Sequence, residues 1–447
     1  MLEYGITFFG EIADVMKKTF CRRALFFSLV LVFAKATTLA LPVSEASAES
    51  LDFESAWEVI REHNPGLKAA RNSVDAAYAS LKISAVRTRI TASLSGTGTK
   101  EEGSRASSSA GASLSYSTSL FGREKAFVSA EKFALREAEA SLAAMELNLY
   151  RQTAVSFWGA AAGEASVKAA REEITRREAF LEDARLRFQQ GMVPELDVLR
   201  AESALAEARH ALALSEASRS GFEAMLKGLA GWQNISPAEG LFDLDLDIGS
   251  RNVPPDFQNT ADSHPLVLKA HRSVEKAESL LKAARLTPLP TLSLTATKTL
   301  VTDGPAASAQ YTQDDWWGRA TLTIPLIDGG QTKWSVEKAE AGLAAAEASL
   351  GSAKAEVMMN LFTAWEDYVA AQKGLYAEKA RFDLVSKERD IVLLRYREGL
   401  ANQIEVLDAQ SRFTGSLASL INGKKGLLVA EAALASAEGS IPGGESK

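Results

Sequence analysis

The sequence is poor in the residues that stabilise small exported domains or build catalytic centres. Its 447 residues include one cysteine, four histidines and twelve prolines. A single cysteine cannot form an intramolecular disulfide, and the scattered histidines cannot complete a Cys/His zinc site. The formal net charge of −7 argues against a basic surface that coats nucleic acid, so we predict no nucleic-acid partner.

Long apolar runs are also scarce. The run from Ala24 to Ala34 has eleven residues, which is too short to span a bilayer as a helix. It follows a basic cluster between Lys17 and Arg23 and precedes Ala46-Ser47-Ala48, a small-x-small cleavage site. We therefore predict a signal peptide over residues 1–48, with Met16 as a possible true start.

The one cysteine lies in this leader. Cys21 precedes the apolar run, whereas the cysteine of a bacterial lipoprotein follows it, so we expect no acylated N-terminus. The exported chain then has no cysteine, and no later segment is apolar enough for a transmembrane helix. If the protein enters a membrane, it must do so as strands.

What the sequence does contain is alanine, which supplies much of its 46% hydrophobic content. Ala-rich, Pro-poor chains favour long helices and coiled coils. In stripes such as Val198, Ala201 and Leu205, small residues alternate with larger ones at heptad-like spacing, which permits close helix packing. The broad stripes suit helices with two neighbours, as in the wall of a tube. An ordinary antiparallel coiled coil would also explain the stripes.

The chain carries an internal duplication. A shift of 200 residues superposes Pro65 on Pro265, and a shift of 208 superposes Gly191 on Gly399. The duplication divides the exported chain into four parts: a first repeat (49–240), a linker (241–262), a second repeat (263–438) and a flexible tail (439–447). In each repeat we predict a β-hairpin (about 90–121 and 290–327) followed by a long helical hairpin (about 123–230 and 329–438).

The predicted strands alternate polar and apolar residues with period two. About ten residues per strand suffice for a tilted strand to cross a bilayer, and inward Ser and Thr residues suit a wet lumen. Four aromatic residues near the strand ends indicate an interfacial girdle or ordinary hairpin packing. They are Tyr116, Phe121, Trp316 and Trp317. Paired hairpins are not explained by a coiled coil alone.

Three segments have a distinctive pattern: a strand-to-helix junction with Pro325, Asp328, Gly329 and Gly330, the start of the last helix from Gly399 to Gln410, and a weaker first-half counterpart from Gly191 to Leu199. In these segments the chain resembles the TolC family of outer-membrane efflux proteins. The resemblance extends over residues 51–438 and includes the duplication.

The resemblance implies a mixed, mainly α fold. Each copy of a homotrimer would give four strands to one outer-membrane β-barrel, continued by a long periplasmic α-helical barrel. The linker with Pro254-Pro255 and the tail would lie near the equator of that tube. Closure across copies would also remove sheet edges, which an isolated four-stranded sheet in lipid cannot do.

By the same resemblance, four residues lie at the periplasmic aperture. Glu405 and Asp408, three apart on one helix face, would form two rings of carboxylates that attract cations and resist closure. Tyr396 falls where the family has an aromatic gate residue, and Asp197 where an acid accepts a latching contact.

Two observations leave the aperture open to other interpretations. The family often places a basic latch residue two positions after the glycine, where this sequence has Ala401, so Arg395 or Arg397 could supply the charge. Asn402 could also be a helix N-cap, with Glu405 completing a capping box. A capping box would explain Glu405 but not Asp408.

The predicted function is the passive exit duct of a tripartite efflux pump or a type I secretion system in the outer membrane of a Gram-negative bacterium. The implied partners are a periplasmic adaptor (membrane fusion) protein, an inner-membrane pump of RND or ABC type, and outer-membrane lipid. Gly191 and Gly399 would end the long helices as C-caps and form the tips that dock the adaptor. No cofactor, metal or catalytic cluster is expected. A periplasmic coiled-coil adaptor or scaffold and an exported enzyme are the alternatives.

Overall fold

The computed structural model describes residues 49–86, 89–99, 107–238, 240, 242, 253–303 and 316–441. The predicted signal peptide, most of the loop 303–315, residues 243–252 of the linker and the tail beyond residue 441 lie outside these ranges. The helices within these ranges lie in the compact unit Ser50–Lys447.

Helices dominate the described part of the chain. They are α1 (Phe53–His63), α2 (Pro65–Val86), α3 (Arg123–Gln189), α4 (Glu195–Leu229), α5 (Phe257–Ser263), α6 (Pro265–Arg285), α7 (Gln331–Arg397) and α8 (Gln403–Ala437). Helices α3 and α7 have 67 residues each, and α4 and α8 have 35 each. A 67-residue helix is about 100 Å long. The matching lengths are the structural form of the duplication.

A small four-stranded antiparallel sheet joins the two halves. Its order is β2 (Thr91–Thr99), β3 (Ser107–Ser119), β5 (Thr291–Asp303) and β6 (Trp316–Thr323). The central pairing, β3 with β5, connects the hairpin of one repeat to that of the other. Two short strands, β1 (Glu49–Leu51) and β4 (Ile235–Pro237), form a separate pair. The prediction of a mainly helical fold with two hairpins is confirmed.

The strands differ from the sequence pattern at two ends. β3 begins as early as Ser107, because its first residues pair with β2 at Ser107 and with β5 from Ser108. β6 ends at Thr323, although the apolar alternation continues to Leu326. Pro325 has no N–H to donate to a ladder, which explains the earlier end.

The stripes of small and larger residues form the buried seams of the helical hairpins. Val406, Ala409 and Phe413 of α8 are buried. At Gly163, α3 packs directly against the backbone of α4, since a Cβ at this position would lie 2.9 Å from the Cα of Arg219. Small residues at these seams therefore set the distance between helix axes.

A second core covers the middle of α3. The short helix α1 places Trp57 against Tyr150, with ring centroids 5.3 Å apart, and Phe53 against Phe157, with centroids 5.4 Å apart. Within the predicted linker 241–262, α5 begins after Asp256, whose side chain caps it. None of the helices in the described ranges is both long and apolar enough to cross a membrane.

Candidate functional site: the two-faced sheet and the helix tips

The four-stranded sheet has one polar face. Residues paired directly across antiparallel strands share a face, and hydroxyl hydrogen bonds of 2.7 Å join Thr91 to Ser115 and Ser93 to Ser113. We name this the Ser/Thr face. Its members with described side chains include Thr91, Ser93, Ser95, Thr97, Ser113, Ser115, Ser117, Ser293, Thr295, Thr297, Trp317, Arg319 and Thr321.

The opposite face is mostly apolar. We name it the apolar face; its members include Ala92, Leu94, Ala112, Leu114, Tyr116, Leu292, Leu294, Ala296, Lys298, Trp316, Ala320 and Leu322. Leu94, Leu114, Leu294 and Leu322 of this face are exposed in the single chain, Leu94 by 75% and Leu322 by 54%, whereas Leu292 is partly buried. A sheet with one wet face and one apolar face is suited to separating water from lipid.

The four aromatic residues near the strand ends occupy different surroundings. Trp316 is on the apolar face and 76% exposed, and Tyr116 is on the same face opposite Leu294. Phe121 follows the other end of the sheet and is 56% exposed. Trp317 lies on the Ser/Thr face, where its ring centroid is 5.0 Å from the guanidinium carbon of Arg319.

The strand-to-helix junction of the second repeat is built around one carboxylate. Asp328 accepts hydrogen bonds from the backbone N–H groups of Thr332, at 2.8 Å, and Gly330, at 3.0 Å. The hydrogen bond from the Thr332 side chain, together with these two backbone bonds, lowers the pKa of Asp328. Gly329 and Gly330 have φ values of +63° and +87°, in the left-handed region that favours glycine. Together they turn the chain, just after Pro325, into α7.

The first repeat makes the same junction with other residues, which the sequence patterns do not reveal. Gly122, at φ +80°, precedes α3, and the Ser119 hydroxyl accepts the N–H of Arg123 at 2.9 Å. The Glu124 carboxylate accepts the Ser119 N–H at 3.1 Å and contacts its hydroxyl. Burial alone would raise the pKa of Glu124, but the Ser119 hydrogen bonds and the Arg123 charge bring it below its usual value.

At the other end of the long helices, two glycines form the hairpin tips. Gly191 and Gly399 have φ values of +72° and +73°. The N–H of the residue after each glycine donates to the carbonyl five residues earlier, at 2.9 Å after Gly191 and 2.8 Å after Gly399. This is the Schellman arrangement, so both glycines end their helices as left-handed C-caps.

A buried amide joins the two tips. The Gln403 side chain is 6% exposed as a residue and donates from Nε2 to the carbonyl of Asp197 at 2.7 Å. The Asp197 carboxylate instead pairs with Arg200 on its own helix at 3.4 Å. Ala401 itself carries no basic group, and Gln403 makes a neutral link two residues further on. Contacts across the repeats carry no local sequence signal, so this residue was missed.

The two candidate aperture acids have different surroundings. Glu405 completes a capping box with Asn402: its N–H donates to Asn402 Oδ1 at 3.0 Å, and its carboxylate accepts the Asn402 N–H at 3.4 Å. Arg395 lies 3.9 Å from the same carboxylate. Asp408 has a side chain 56% exposed and pairs with Arg412 at 2.8 Å. The cap therefore explains the position of Glu405 but not that of Asp408.

Tyr396 packs where α3 and α7 meet above the tips. Its ring centroid is 5.8 Å from that of Phe180 and 4.8 Å from the guanidinium carbon of Arg187. Burial raises the pKa of Tyr396, Arg187 works in the opposite direction, and Asp183 and Asp197 add to the rise. The phenol is therefore neutral at physiological pH. Among the described residues, no group of three His, Asp or Glu side chains is placed to hold a metal ion.

The chain is similar to known protein sequences. Residues 57–231 and 257–440 match the family described as outer membrane efflux protein. The chain is 24% identical to the Brucella suis outer membrane efflux protein BepC over 58% of this chain and 56% of that protein. It is 25% identical to the Pseudomonas putida toluene efflux pump outer membrane protein TtgC over 84% of this chain and 80% of TtgC.

The fold also matches solved structures. The outer membrane protein VceC from Vibrio cholerae superposes with a TM-score of 0.73 at 19% identity, over 87% of this chain and 96% of VceC. The chain belongs to the outer membrane efflux protein family. This confirms the predicted TolC-like family and the outer-membrane location that the family description names. The family is one of transport proteins rather than enzymes. The match to BepC spans little more than half of that protein.

Proposed function

We propose that the protein is the exit duct of a tripartite efflux pump or a type I secretion system. In this proposal the two repeats, 49–240 and 263–438, each supply one strand hairpin to the outer membrane and one helical hairpin to the periplasm. Residues 241–262 would lie between them at the equator. Substrates would pass passively through the tube, driven by an inner-membrane pump of RND or ABC type.

The observation that carries this proposal is the two-faced sheet. The Ser/Thr face and the apolar face alternate along all four strands. A row of exposed leucines on one face has no function in water but matches hydrocarbon, and the hydroxyl face matches a hydrated lumen. The sheet continues through its junctions into helices about 100 Å long, the length needed to cross much of a periplasm.

The edges of the sheet support an oligomer. In the described part of the chain, β2 and β6 each border one strand only. Unpaired backbone groups are costly in lipid, so the β2 edge of one copy must pair with the β6 edge of another. Three copies would close a twelve-stranded barrel, and their helices would form the tube below it. Trp316 and Phe121, near opposite ends of the sheet, would meet the two membrane interfaces.

The tips supply the periplasmic end. Asp408 and Glu405 of three copies would form two acidic rings, with Tyr396 above them as the gate aromatic and Asp197 at the link between the hairpins. The glycine tips at Gly191 and Gly399 would receive the helical hairpin of the adaptor.

Conductance in planar lipid bilayers tests the proposal. We expect the folded oligomer, purified from outer membranes, to insert and give uniform current steps. Recovery from the soluble periplasmic fraction, with no conductance, would instead favour the coiled-coil adaptor or scaffold. A folded membrane-extracted oligomer that never conducts would also contradict the proposal.

A further inference from the structure

The Ser/Thr face carries one charge among the residues whose side chains the structure describes. That charge is Arg319, in the middle of β6, and the other members of this face are hydroxyl residues, a glycine and Trp317. Arg319 continues a cross-sheet row that runs through Thr295, Ser115 and Thr91. Among the described side chains of this face, the guanidinium is therefore surrounded by neutral groups.

The geometry also keeps this charge on that face. Trp317 precedes Arg319 by two residues, so both side chains project to the same side of the strand. The guanidinium carbon lies 5.0 Å from the Trp317 ring centroid, within the range of a cation–π contact. Such a contact restrains the long arginine side chain against the sheet. It also explains a tryptophan on a face otherwise made of small hydroxyl residues.

We propose that Arg319 sets the ion selectivity of the upper part of the duct, as a ring of positive charge that favours anions. This inference rests on the proposed function, because it needs the Ser/Thr face to line the lumen of a closed oligomer. Three Arg319 side chains would then surround the pore about 13 Å from the helical end of β6. Rings of basic residues favour anionic solutes in pores.

The duct would then carry charges of opposite sign at its two ends. Asp408 and Glu405 would favour cations at the tips, and Arg319 would favour anions within the barrel. A pore with separated rings of opposite charge passes current more easily in one direction. The field of each ring extends about 10 Å at 0.1 M salt and about 30 Å at 0.01 M, so both selectivity and rectification should strengthen at low salt.

Reversal potentials under a salt gradient test the assignment with a matched pair of variants. Arg319→Gln and Lys298→Gln each remove one positive charge from the same sheet, but from opposite faces. We expect Arg319→Gln to lower the anion-to-cation permeability ratio by about threefold at 0.1 M salt, and by more at 0.01 M. Lys298→Gln should leave the ratio unchanged, and Arg319→Lys should restore it.

The outcomes separate the two proposals. A folded wild-type oligomer that does not conduct would overturn the exit-duct function itself. A conducting pore whose selectivity is the same with Arg319→Gln would overturn only the role of Arg319. An equal shift from Lys298→Gln would overturn the assignment of the faces. Gel mobility of the unheated oligomer and circular dichroism would establish that each variant is assembled.

Discussion

Asn64 and His264 make the same pair of hydrogen bonds at matching places in the two repeats. Each caps the helix that follows and accepts a backbone N–H of its first turn, at 3.0 Å for Asn64 Oδ1 and 3.2 Å for His264 Nδ1. Each side chain also contacts a carbonyl near the C-terminal end of a 35-residue helix in the same repeat, α4 for Asn64 and α8 for His264. Asn64 Nδ2 donates to the Leu229 carbonyl at 2.8 Å, and His264 Nε2 lies 3.4 Å from the Ser436 carbonyl. Of these two capping residues, His264 has a titratable side chain and Asn64 does not.

This difference predicts a pH-dependent stability that belongs to the second repeat. His264 is 6% exposed, and burial lowers its pKa, with the Ser436 carbonyl opposing the shift. Between this lowered pKa and the ordinary histidine value of about 6.5, the folded state therefore binds fewer protons than the unfolded state. The stabilisation is complete above that pH and is lost as the pH falls through the lowered value. Protonation also removes the Nδ1 acceptor of the cap.

His264→Asn should abolish this dependence, because asparagine makes both hydrogen bonds at Asn64 without titrating. Thermal unfolding of the full chain in detergent between pH 5 and 8 is the measurement. We expect the wild type to lose about 1 kcal/mol of stability at the acid end and His264→Asn to lose less. His210→Asn, at an exposed position of α4, is the control. Equal acid sensitivity of both variants would contradict the role of His264.

The hydrogen bond from Gln403 to the Asp197 carbonyl joins the two hairpin tips, and its removal should loosen both tips. Gln403→Glu keeps the size of the side chain but removes the N–H that the Asp197 carbonyl accepts, and sets a carboxylate against that partly buried carbonyl oxygen at a cost of about 1–3 kcal/mol. We expect faster hydrogen exchange in the tip peptides of both hairpins and a larger single-channel conductance.

Gln190→Glu is the matched control, since it makes the same change at an exposed tip position. Exchange confined to the α7–α8 tip would show that the link does not hold the two hairpins together.

The two faces of the sheet predict opposite responses to one substitution at neighbouring positions. Leu94→Arg places a charge on the apolar face and should cost about 2–4 kcal/mol near the bilayer midplane. Ser93→Arg places the same charge on the Ser/Thr face and should assemble normally. The yield of folded oligomer in outer membranes is the measurement. Equal tolerance of both variants would show that neither face meets lipid.

The aperture acids can be separated from helix capping by a graded substitution. Glu405→Gln keeps a capping-box acceptor but removes the charge, whereas Glu405→Ala removes both. We expect Glu405→Gln and Asp408→Asn to reduce cation selectivity without loss of stability. Glu405→Ala should reduce selectivity and also lower the free energy of unfolding by about 1 kcal/mol. Unchanged reversal potentials in both Glu405→Gln and Asp408→Asn would contradict the aperture assignment, and Glu405 would then have only its helix-capping role.

Local patterns in the sequence predict the long elements well, for a physical reason. Helix α7 repeats its small and apolar residues over many turns, and the strands repeat Ser or Thr at every second position, so single exceptions do not hide the period. Gly191 and Gly399 stand where only a left-handed residue ends the helix without strain. Both kinds of signal are local to the chain.

The contacts that join distant parts of the chain could not be predicted in the same way. Gln403 meets Asp197 across 206 residues, and nothing near either residue marks the pair. Trp316 and Trp317 both look like interface aromatics in the sequence, but consecutive residues of a strand project to opposite faces of the sheet, so the two side chains lie on different faces. Ser119 and Glu124 take the place of Asp328 at the strand-to-helix junction of the first repeat. The junction residues of the first repeat therefore could not be predicted by aligning the two repeats.

Corresponding helices of the two repeats have equal lengths, 67 residues in α3 and α7 and 35 in α4 and α8. These equal lengths restrict how the protein can change during evolution. Loss of seven residues from α3 alone would raise its tip by about 10 Å and carry Asp197 out of reach of Gln403. A matching loss from α4 would restore the first hairpin but leave it shorter than the second. A functional tunnel of another length therefore requires four coordinated deletions or insertions, so tunnel length is inherited as a single character rather than adjusted helix by helix.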